Sequence, residues 1–160
     1  MGRYLPPQDA RTWGPLMKIR ALVVDDSRSM RRIVMKGLRH AQLCDFDFQE
    51  AVDGADALTK FDPEQFDIMF IDWNMPNMNG IDVVRKIRED TVNDKVMLVM
   101  VTSNKTMDFV TEALDDAGAN GFISKPFTPK DMRNKLEPVI GEIIQRKKAE
   151  GGLLGKLFGR

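Results

Sequence analysis

The sequence predicts a doubly wound (βα)5 domain of the α/β class, with five parallel strands in one sheet and helices on both faces. Short apolar runs alternate with amphipathic segments along the chain, as in βαβ units with right-handed crossovers. The run Ile68–Ile71 is wholly apolar and is bounded by turn residues, which is typical of a strand buried on both faces. With 160 residues, the chain has room for one such domain and short tails, but not for a second domain.

The predicted strands are short runs bounded by turn residues. In chain order they are Ile19–Val24, Asp45–Val52, Ile68–Ile71, Lys95–Val101 and Gly121–Ser124. Four of these runs are mainly apolar, whereas Asp45–Val52 alternates polar and apolar residues. Alternation of this kind indicates an edge strand with one exposed face.

A helix is predicted after each strand from apolar residues at helical spacing. Those positions are Met30, Ile33, Val34 and Leu38 in the first helix, Ile81, Val84 and Ile87 in the third, and Phe109, Val110, Ala113, Leu114 and Ala117 in the fourth. The second helix covers Ala55–Phe61 and stops before Pro63. Ser27 is the predicted N-cap of the first helix, Gly118 ends the fourth, and Thr128-Pro129 begins the last.

The two ends of the chain differ from the domain between them. Residues 1–16 contain three prolines and predict an irregular arm, residues 17–148 form the folded domain, and residues 149–160 form a Gly/Leu-rich tail. Pro138 predicts a kink or break in the last helix, whose pattern resumes to about Lys148. In the tail, Leu153, Leu154, Leu157 and Phe158 fit one helical face that could dock on a partner or a membrane, but four glycines favour disorder.

Composition excludes several classes of function. Lys+Arg and Asp+Glu both number 24, and the pI of about 6.6 gives no electrostatic case for binding nucleic acid. The single cysteine, Cys44, cannot form an internal disulfide, which is typical of a reducing compartment. No apolar run is long enough to predict stable membrane insertion. The cytoplasm is therefore the expected location.

Polar residues follow the predicted strands at the points where the strands end. They are Asp25 and Asp26 after the first strand, Asp72 after the third, Thr102 after the fourth and Lys125 after the fifth. Because the carboxyl ends of parallel strands meet at one edge, these side chains should converge.

Carboxylate oxygens with room for water suit Mg²⁺. A carboxylate beside a metal ion, a lysine and a hydroxyl has the groups needed to accept a phosphoryl group. The plainer alternative, helix capping, accounts for Asp25 and Asp26 but not for Lys125 and Thr102.

Four motifs in this order resemble a known family. They are Asp25-Asp26-Ser27, Asp72-Trp73-Asn74-Met75-Pro76 with Gly80, Thr102-Ser103 and Lys125-Pro126-Phe127. Over about residues 17–144 the chain resembles the receiver domains of two-component response regulators, most nearly the single-domain, CheY-like chemotaxis type. The resemblance implies a flavodoxin-like fold with strand order 2-1-3-4-5, for which CheY is itself a known example.

The resemblance also implies a role for each site residue. Asp72 would be the phosphoacceptor; Asp26, Asp72 and the backbone carbonyl of Asn74 would bind Mg²⁺ directly, and Asp25 would bind it through water. Lys125 and Thr102 would contact the phosphoryl group, and the Lys125–Pro126 peptide would be cis. Thr102 and Phe122 would form the switch, although Phe122 lacks the hydroxyl of the tyrosine that many relatives have. Asn74 and Asn104 would tune dephosphorylation.

The implied partners are a CheA-like sensor histidine kinase as phosphodonor and a downstream protein bound by the fourth helix, fifth strand and fifth helix. Such a protein assists its own phosphorylation and dephosphorylation but turns over no separate substrate. It would be a monomer, with phosphorylation-linked dimerisation as an alternative.

Two other functions compete with this interpretation. A Mg²⁺-dependent phosphatase of the haloacid dehalogenase type needs a second acid two residues after the nucleophile, where this chain has Asn74. A phosphorylation-independent interaction module would not need the whole acidic pocket.

Overall fold

The computed structural model describes residues 18–104 and 106–157, with backbone alone for 152–157. The strands are β1 (Lys18–Val24), β2 (Asp45–Ala51), β3 (Ile68–Asp72), β4 (Met97–Thr102) and β5 (Gly121–Ser124). The helices are α1 (Arg28–Ala41), α2 (Gly54–Lys60), α3 (Gly80–Arg88), α4 (Met107–Thr111) and α5 (Pro129–Leu157). Every pair of neighbouring strands is parallel and the order is β2-β1-β3-β4-β5, which confirms the predicted fold class.

Apolar side chains cover both faces of the sheet. Phe70 of β3 belongs to a buried cluster with Leu38 of α1 and Leu136 of α5. Met69, its neighbour in β3, belongs to a second cluster with Ile81 of α3 on the other face. This double covering explains why β3 is apolar along its length and why its polar residue stands at the carboxyl end.

Helix α1 packs on the sheet with two of its predicted apolar residues, Val34 and Leu38, buried and with Met30 partly buried against the same cluster. The Ser27 hydroxyl caps the helix by accepting a hydrogen bond from the Met30 N–H, as expected. Ile33, however, is 51% exposed, so its predicted place in the core is wrong. The buried stripe consists of Arg31, Val34, Gly37, Leu38 and Ala41. An arginine therefore belongs to the buried stripe, although the sequence prediction included only apolar residues.

Helix α4 is shorter than its apolar spacing predicted. A π-helical turn, Glu112–Asp116, follows the α-helical residues, and the Ala117 N–H donates to the Glu112 carbonyl at 2.9 Å. A π turn is wider than an α turn and shifts the phase of the side chains that follow. Leu114 is consequently 36% exposed, although the regular helical period assigned it to the apolar face.

Helix α5 continues through Pro138, so the predicted alternative of a break at this residue is wrong. Proline in a helix interior costs about 3 kcal/mol because a hydrogen bond is lost and the ring crowds the preceding turn. Leu136, Ile140 and Ile143 are each at most 3% exposed, and burial of such a side chain contributes about 1.5–3 kcal/mol. Packing on both sides of the proline therefore offsets its cost.

The helix also continues beyond Lys148 as far as Leu157, so the prediction of disorder from Gly151 onward is wrong for that stretch. Extending an established helix requires ordering only one residue for each hydrogen bond gained, which offsets the cost of the glycines. Residues 158–160 lie outside the described residues, as does the predicted N-terminal arm of residues 1–16. None of the described helices is long and apolar enough to cross a membrane.

Ion pairs attach the C-terminal part of α5 to the amino edge of the sheet. Asp67 Oδ1 lies 3.1 Å from Arg20 Nη2, and Asp67 Oδ2 lies 3.1 Å from Lys147 Nζ. Burial alone would raise the pKa of Asp67, but hydrogen bonds from Arg20 and Lys147 outweigh it, and the pKa lies below its ordinary value. Arg146 also donates to the Lys95 carbonyl. The helix is thus held at the edge of the sheet opposite the acidic residues.

Candidate functional site

Three carboxylates meet at the carboxyl edge of the sheet. Asp25 and Asp26 directly follow β1, and Asp72 is the last residue of the neighbouring strand β3. One carboxylate oxygen from each lies within 4.8 Å of the others. Asp25 and Asp72 are 3% and 7% exposed, whereas Asp26 is exposed to solvent. The cluster therefore has two buried acids and one open side.

Lys125 supplies the cation of this cluster. It directly follows β5, and its Nζ lies 2.8 Å from Asp72 Oδ1 and 3.6 Å from Asp25 Oδ2. Its backbone N–H donates to the Thr102 carbonyl at 2.7 Å, which joins the end of β5 to the end of β4. The Lys125–Pro126 peptide bond is cis. The structure thus brings Asp25, Asp26, Asp72 and Lys125 into one site.

Thr102 lies at the end of β4 with its hydroxyl engaged in the loop that follows. The residue is 1% exposed, and its Oγ1 accepts a hydrogen bond from the Asn104 N–H at 3.1 Å. The Asn104 side chain accepts in turn from the Thr106 N–H at 3.0 Å, at the start of α4. Phe122 of β5 is partly buried and packs against the apolar cluster on the α3 face. The loop thus connects the hydroxyl to α4 through two hydrogen bonds.

The loop after Asp72 is held close to the end of β3. The Gly80 N–H donates to the Trp73 carbonyl at 2.8 Å, and the Trp73 N–H donates to the Val101 carbonyl at 3.2 Å. A Cβ atom at Gly80 would lie 2.0 Å from the Asp72 carbonyl oxygen. Glycine is therefore required for this close approach. Asn74 lies in the loop between Asp72 and Gly80 and is exposed. It lines an open depression together with Ser103, Asn104 and Thr106.

Comparison with known proteins identifies the family. Residues 21–137 match the family model of the response regulator receiver domain. The chain belongs to this family. Chemotaxis protein CheY1 of Helicobacter pylori is 41% identical to this receiver over 124 residues, which are 77% of this chain and 98% of that protein. Chemotaxis protein CheY of Pseudomonas aeruginosa is 39% identical over 127 residues, covering 79% of this chain and 98% of that protein.

Solved structures agree with this assignment. Chemotaxis protein CheY4 of Vibrio cholerae superposes on the receiver with a TM-score of 0.67 at 31% identity, covering 77% of this chain and 99% of that chain. A CheY-like receiver domain protein from Methanospirillum hungatei superposes with a TM-score of 0.68 at 23% identity and supports the fold alone. The expected sheet order and flavodoxin-like architecture are confirmed.

The acid cluster of this receiver fits a divalent cation. Its donors are carboxylate oxygens, which Mg²⁺ prefers, and three of them approach closely enough to share one ion. Three converging negative charges with one lysine beside them leave negative charge uncompensated, which favours binding of a cation. The open side at Asp26 leaves room for water or for a phosphoryl oxygen.

Electrostatics distinguish Asp72 from an ordinary surface acid. Burial raises the pKa of Asp72, and the charges of Asp25 and Asp26 raise it further, whereas the hydrogen bond from Lys125 opposes the shift. The pKa remains above its ordinary value. Ionisation of Asp72 therefore lowers the free energy of unfolding, and a cation that binds beside the carboxylate would stabilise its ionised form.

One residue next to the site was missed by sequence reasoning. Arg31 of α1 is 7% exposed and donates from Nη1 to the Asp25 carbonyl at 2.7 Å and from Nε to Glu50 Oε1 at 2.9 Å. In the sequence it is one of three arginines at positions 28, 31 and 32, and none of them was assigned to the core or to the site. The available signal was its spacing, three residues before Val34 and seven before Leu38, on the buried stripe.

Proposed function

We propose that this receiver is a phosphorylation-dependent switch that accepts one phosphoryl group on Asp72 from a CheA-like sensor histidine kinase. The observation that carries the proposal is the contact between Lys125 Nζ and Asp72 Oδ1 within a cluster of three carboxylates. A buried carboxylate with an adjacent cation and open space on one side has the features of a phosphoryl acceptor. The relatives named above are chemotaxis proteins, which favours a role in chemotaxis or related two-component signalling.

In the proposed transfer, an Asp72 carboxylate oxygen attacks the phosphorus as the bond from phosphorus to the donor's imidazole nitrogen breaks. Asp25, Asp26, Asp72 and the Asn74 carbonyl would hold Mg²⁺, which neutralises charge on the phosphoryl oxygens when it is bound. The Lys125 ammonium stays beside the phosphoryl group and donates to one of its oxygens. The product is an aspartyl phosphate, and its lifetime would depend on Asn74 and Asn104 beside the depression.

The switch would use the connection from Thr102 to α4. A phosphoryl group on Asp72 offers oxygens to the Thr102 hydroxyl, which would then give up its bond from the Asn104 N–H. Phe122 would move toward the space that Thr102 leaves. These changes would shift the population between two packings of the surface formed by α4, β5 and α5. That surface includes Met107, which is 74% exposed and is suited to contact a downstream protein.

Beryllofluoride, a mimic of the phosphoryl group, should reproduce the switch when it is added with Mg²⁺. We expect large changes in the amide NMR shifts of Thr102, Asn104 and Phe122, because their hydrogen bonds and packing change together. Amides at the amino edge of the sheet, such as Asp67, should move little. The Asp72→Asn protein under the same conditions is the matched control and should show no change. Unmoved shifts at Thr102 and Phe122 in the parent protein would contradict the proposed switch.

A further inference from the structure

Arg31 is a buried cation that the proposed phosphoryl transfer does not use. Its side chain is 9% exposed and lies behind the acid cluster, between the end of β1 and the neighbouring strand β2. Burial of an arginine is costly unless its donors are paired. Two of them are paired, with the Asp25 carbonyl at 2.7 Å and with Glu50 Oε1 at 2.9 Å. One of its two partners is the backbone carbonyl of a proposed metal ligand.

The contact with Asp25 fixes the peptide that joins two of the carboxylates. The Asp25 N–H donates to the Ala51 carbonyl at 3.2 Å, and Asp25 Oδ1 accepts from the Ser27 N–H at 2.8 Å. Arg31 holds the remaining backbone group of Asp25, its carbonyl. Because that carbonyl belongs to the Asp25–Asp26 peptide plane, its orientation sets the direction in which Asp26 leaves the strand.

Glu50 sets the position of the guanidinium. It lies in β2 opposite Val23 of β1, and its own carbonyl accepts from Lys60 Nζ at 2.7 Å. The planar guanidinium donates in two fixed directions at once, which an ammonium cannot do. The sheet register places Glu50 beside β1, and the contacts of Arg31 then connect Glu50 to Asp25 at the carboxyl edge of the sheet.

Charge and geometry predict opposite effects of Arg31 on a metal ion. A guanidinium next to the cluster repels Mg²⁺ through space, so its removal would strengthen binding if charge alone mattered. If it orients the ligands, its removal would weaken binding, because groups that hold metal ligands typically change metal affinity by about 10–100-fold. The direct bond to the Asp25 carbonyl favours the second effect.

We propose that Arg31 is a positioning residue for the Mg²⁺ site: through its bond to the Asp25 carbonyl, and with Glu50 as its anchor, it orients Asp25 and Asp26 toward the ion. This inference rests on the proposed function, since it concerns the same metal site. It assigns to the helix α1 and the edge strand β2 a part in metal binding.

Calorimetric titration of the full-length protein with MgCl₂ tests the inference. Arg31→Met retains the volume but loses both donors, and its dissociation constant for Mg²⁺ should rise about 10-fold or more. Arg31→Lys keeps the positive charge and can donate to only one of the two partners at a time. Its dissociation constant for Mg²⁺ should lie between those of Arg31→Met and the parent protein. Glu50→Gln keeps an acceptor for Arg31 Nε and should change the Mg²⁺ dissociation constant least of the three variants. All titrations are made below the melting temperature that circular dichroism gives for each metal-free variant.

Arg88→Met is the control for loss of a partly buried arginine that is paired with backbone carbonyls. Arg88 of α3 holds the Asn93, Val96 and Gly118 carbonyls and the Asn120 side chain at 2.7–3.0 Å, away from the acid cluster. Its replacement should lower the melting temperature and leave the Mg²⁺ dissociation constant within about 2-fold of the parent value. This variant separates a positioning role from general destabilisation.

The outcomes are distinct. Weaker Mg²⁺ binding by Arg31→Met with partial recovery in Arg31→Lys supports the inference. An unchanged or tighter dissociation constant for Arg31→Met, or an equal loss in Arg88→Met, overturns it while the metal site itself stands. Failure of the parent protein to bind Mg²⁺ overturns the metal site in the proposed function, and the inference with it.

Discussion

The Asp72→Asn protein should take up no phosphoryl group and yet should unfold at a higher temperature than the parent protein when Mg²⁺ is absent. Loss of the phosphoryl group follows because an amide oxygen is a poor nucleophile. The gain in stability follows from the raised pKa of Asp72, which burial causes and which Asp25 and Asp26 increase. Phosphate incorporation from acetyl phosphate and thermal unfolding followed by circular dichroism measure the two effects.

The sign of the pH effect follows from the same shift. Because the pKa of Asp72 is higher in the folded chain than in the unfolded chain, the folded state holds the proton more tightly. Stability is then lost as the pH rises through the folded-state pKa, and at neutral pH the ionised carboxylate opposes folding. The uncharged Asn removes this penalty, so the difference in melting temperature should shrink as the pH falls through that pKa.

An exposed acid provides the control. Asp47→Asn changes an exposed carboxylate on β2 and should alter the free energy of unfolding by no more than about 0.5 kcal/mol. Mg²⁺ should raise the melting temperature of the parent protein and of Asp47→Asn, since the proposed site exists only in the folded state, and should raise that of Asp72→Asn less. Phosphate uptake by Asp72→Asn would show that Asp72 is not the phosphoacceptor, and a melting temperature below that of the parent would show that ionised Asp72 does not oppose folding.

Gly80→Ala should destabilise the receiver and displace Asp72, the proposed phosphoacceptor. A Cβ at Gly80 would lie 2.0 Å from the Asp72 carbonyl oxygen and 3.0 Å from Ile71 Cγ2. A backbone carbonyl within the sheet cannot move aside as a side-chain tip can, so β3 or the start of α3 must shift. We expect a loss of at least about 1–3 kcal/mol in the free energy of unfolding, together with slower phosphorylation of Asp72, measured by urea unfolding and by labelling.

Replacement of another glycine, Gly141, by alanine should raise the free energy of unfolding instead of lowering it. A Cβ at Gly141, inside α5, would meet no atom within 4 Å. Gly141→Ala should therefore stabilise the protein by about 0.5–1 kcal/mol, because alanine loses less entropy in a helix interior. Equal stabilities for Gly80→Ala and the parent protein would show that the approach of α3 to the end of β3 is looser than described.

The fold was predictable because each strand carries its own signal. Ile68–Ile71 is apolar for its whole length, and it forms the centre of a sheet that is covered on both faces. The gathering of Asp25, Asp26, Asp72 and Lys125 was predictable for a related reason, since polar residues at the ends of parallel strands share one edge. Their proposed roles remain predictions.

The features that sequence reasoning missed depend on tertiary contacts. Arg31 has the same side chain as the arginines at positions 28 and 32, and apart from its spacing to Val34 and Leu38 only the packing of α1 shows that it is buried. The π turn of Glu112–Asp116 breaks the 3.6-residue period on which the prediction for Leu114 rested. Packing of α5 around Pro138 likewise outweighs a strong local preference.

Phosphorylation of Asp72 can be tested directly by incubating the full-length protein with acetyl phosphate, in the presence of Mg²⁺ or of EDTA, and measuring the intact mass and the peptide masses. We expect one phosphoryl group per chain, located on Asp72, that forms only when Mg²⁺ is present, with no continuing release of p-nitrophenol from p-nitrophenyl phosphate. A phosphoryl group on another residue, labelling that does not need Mg²⁺, or steady turnover of p-nitrophenyl phosphate like that of a phosphatase would contradict this expectation.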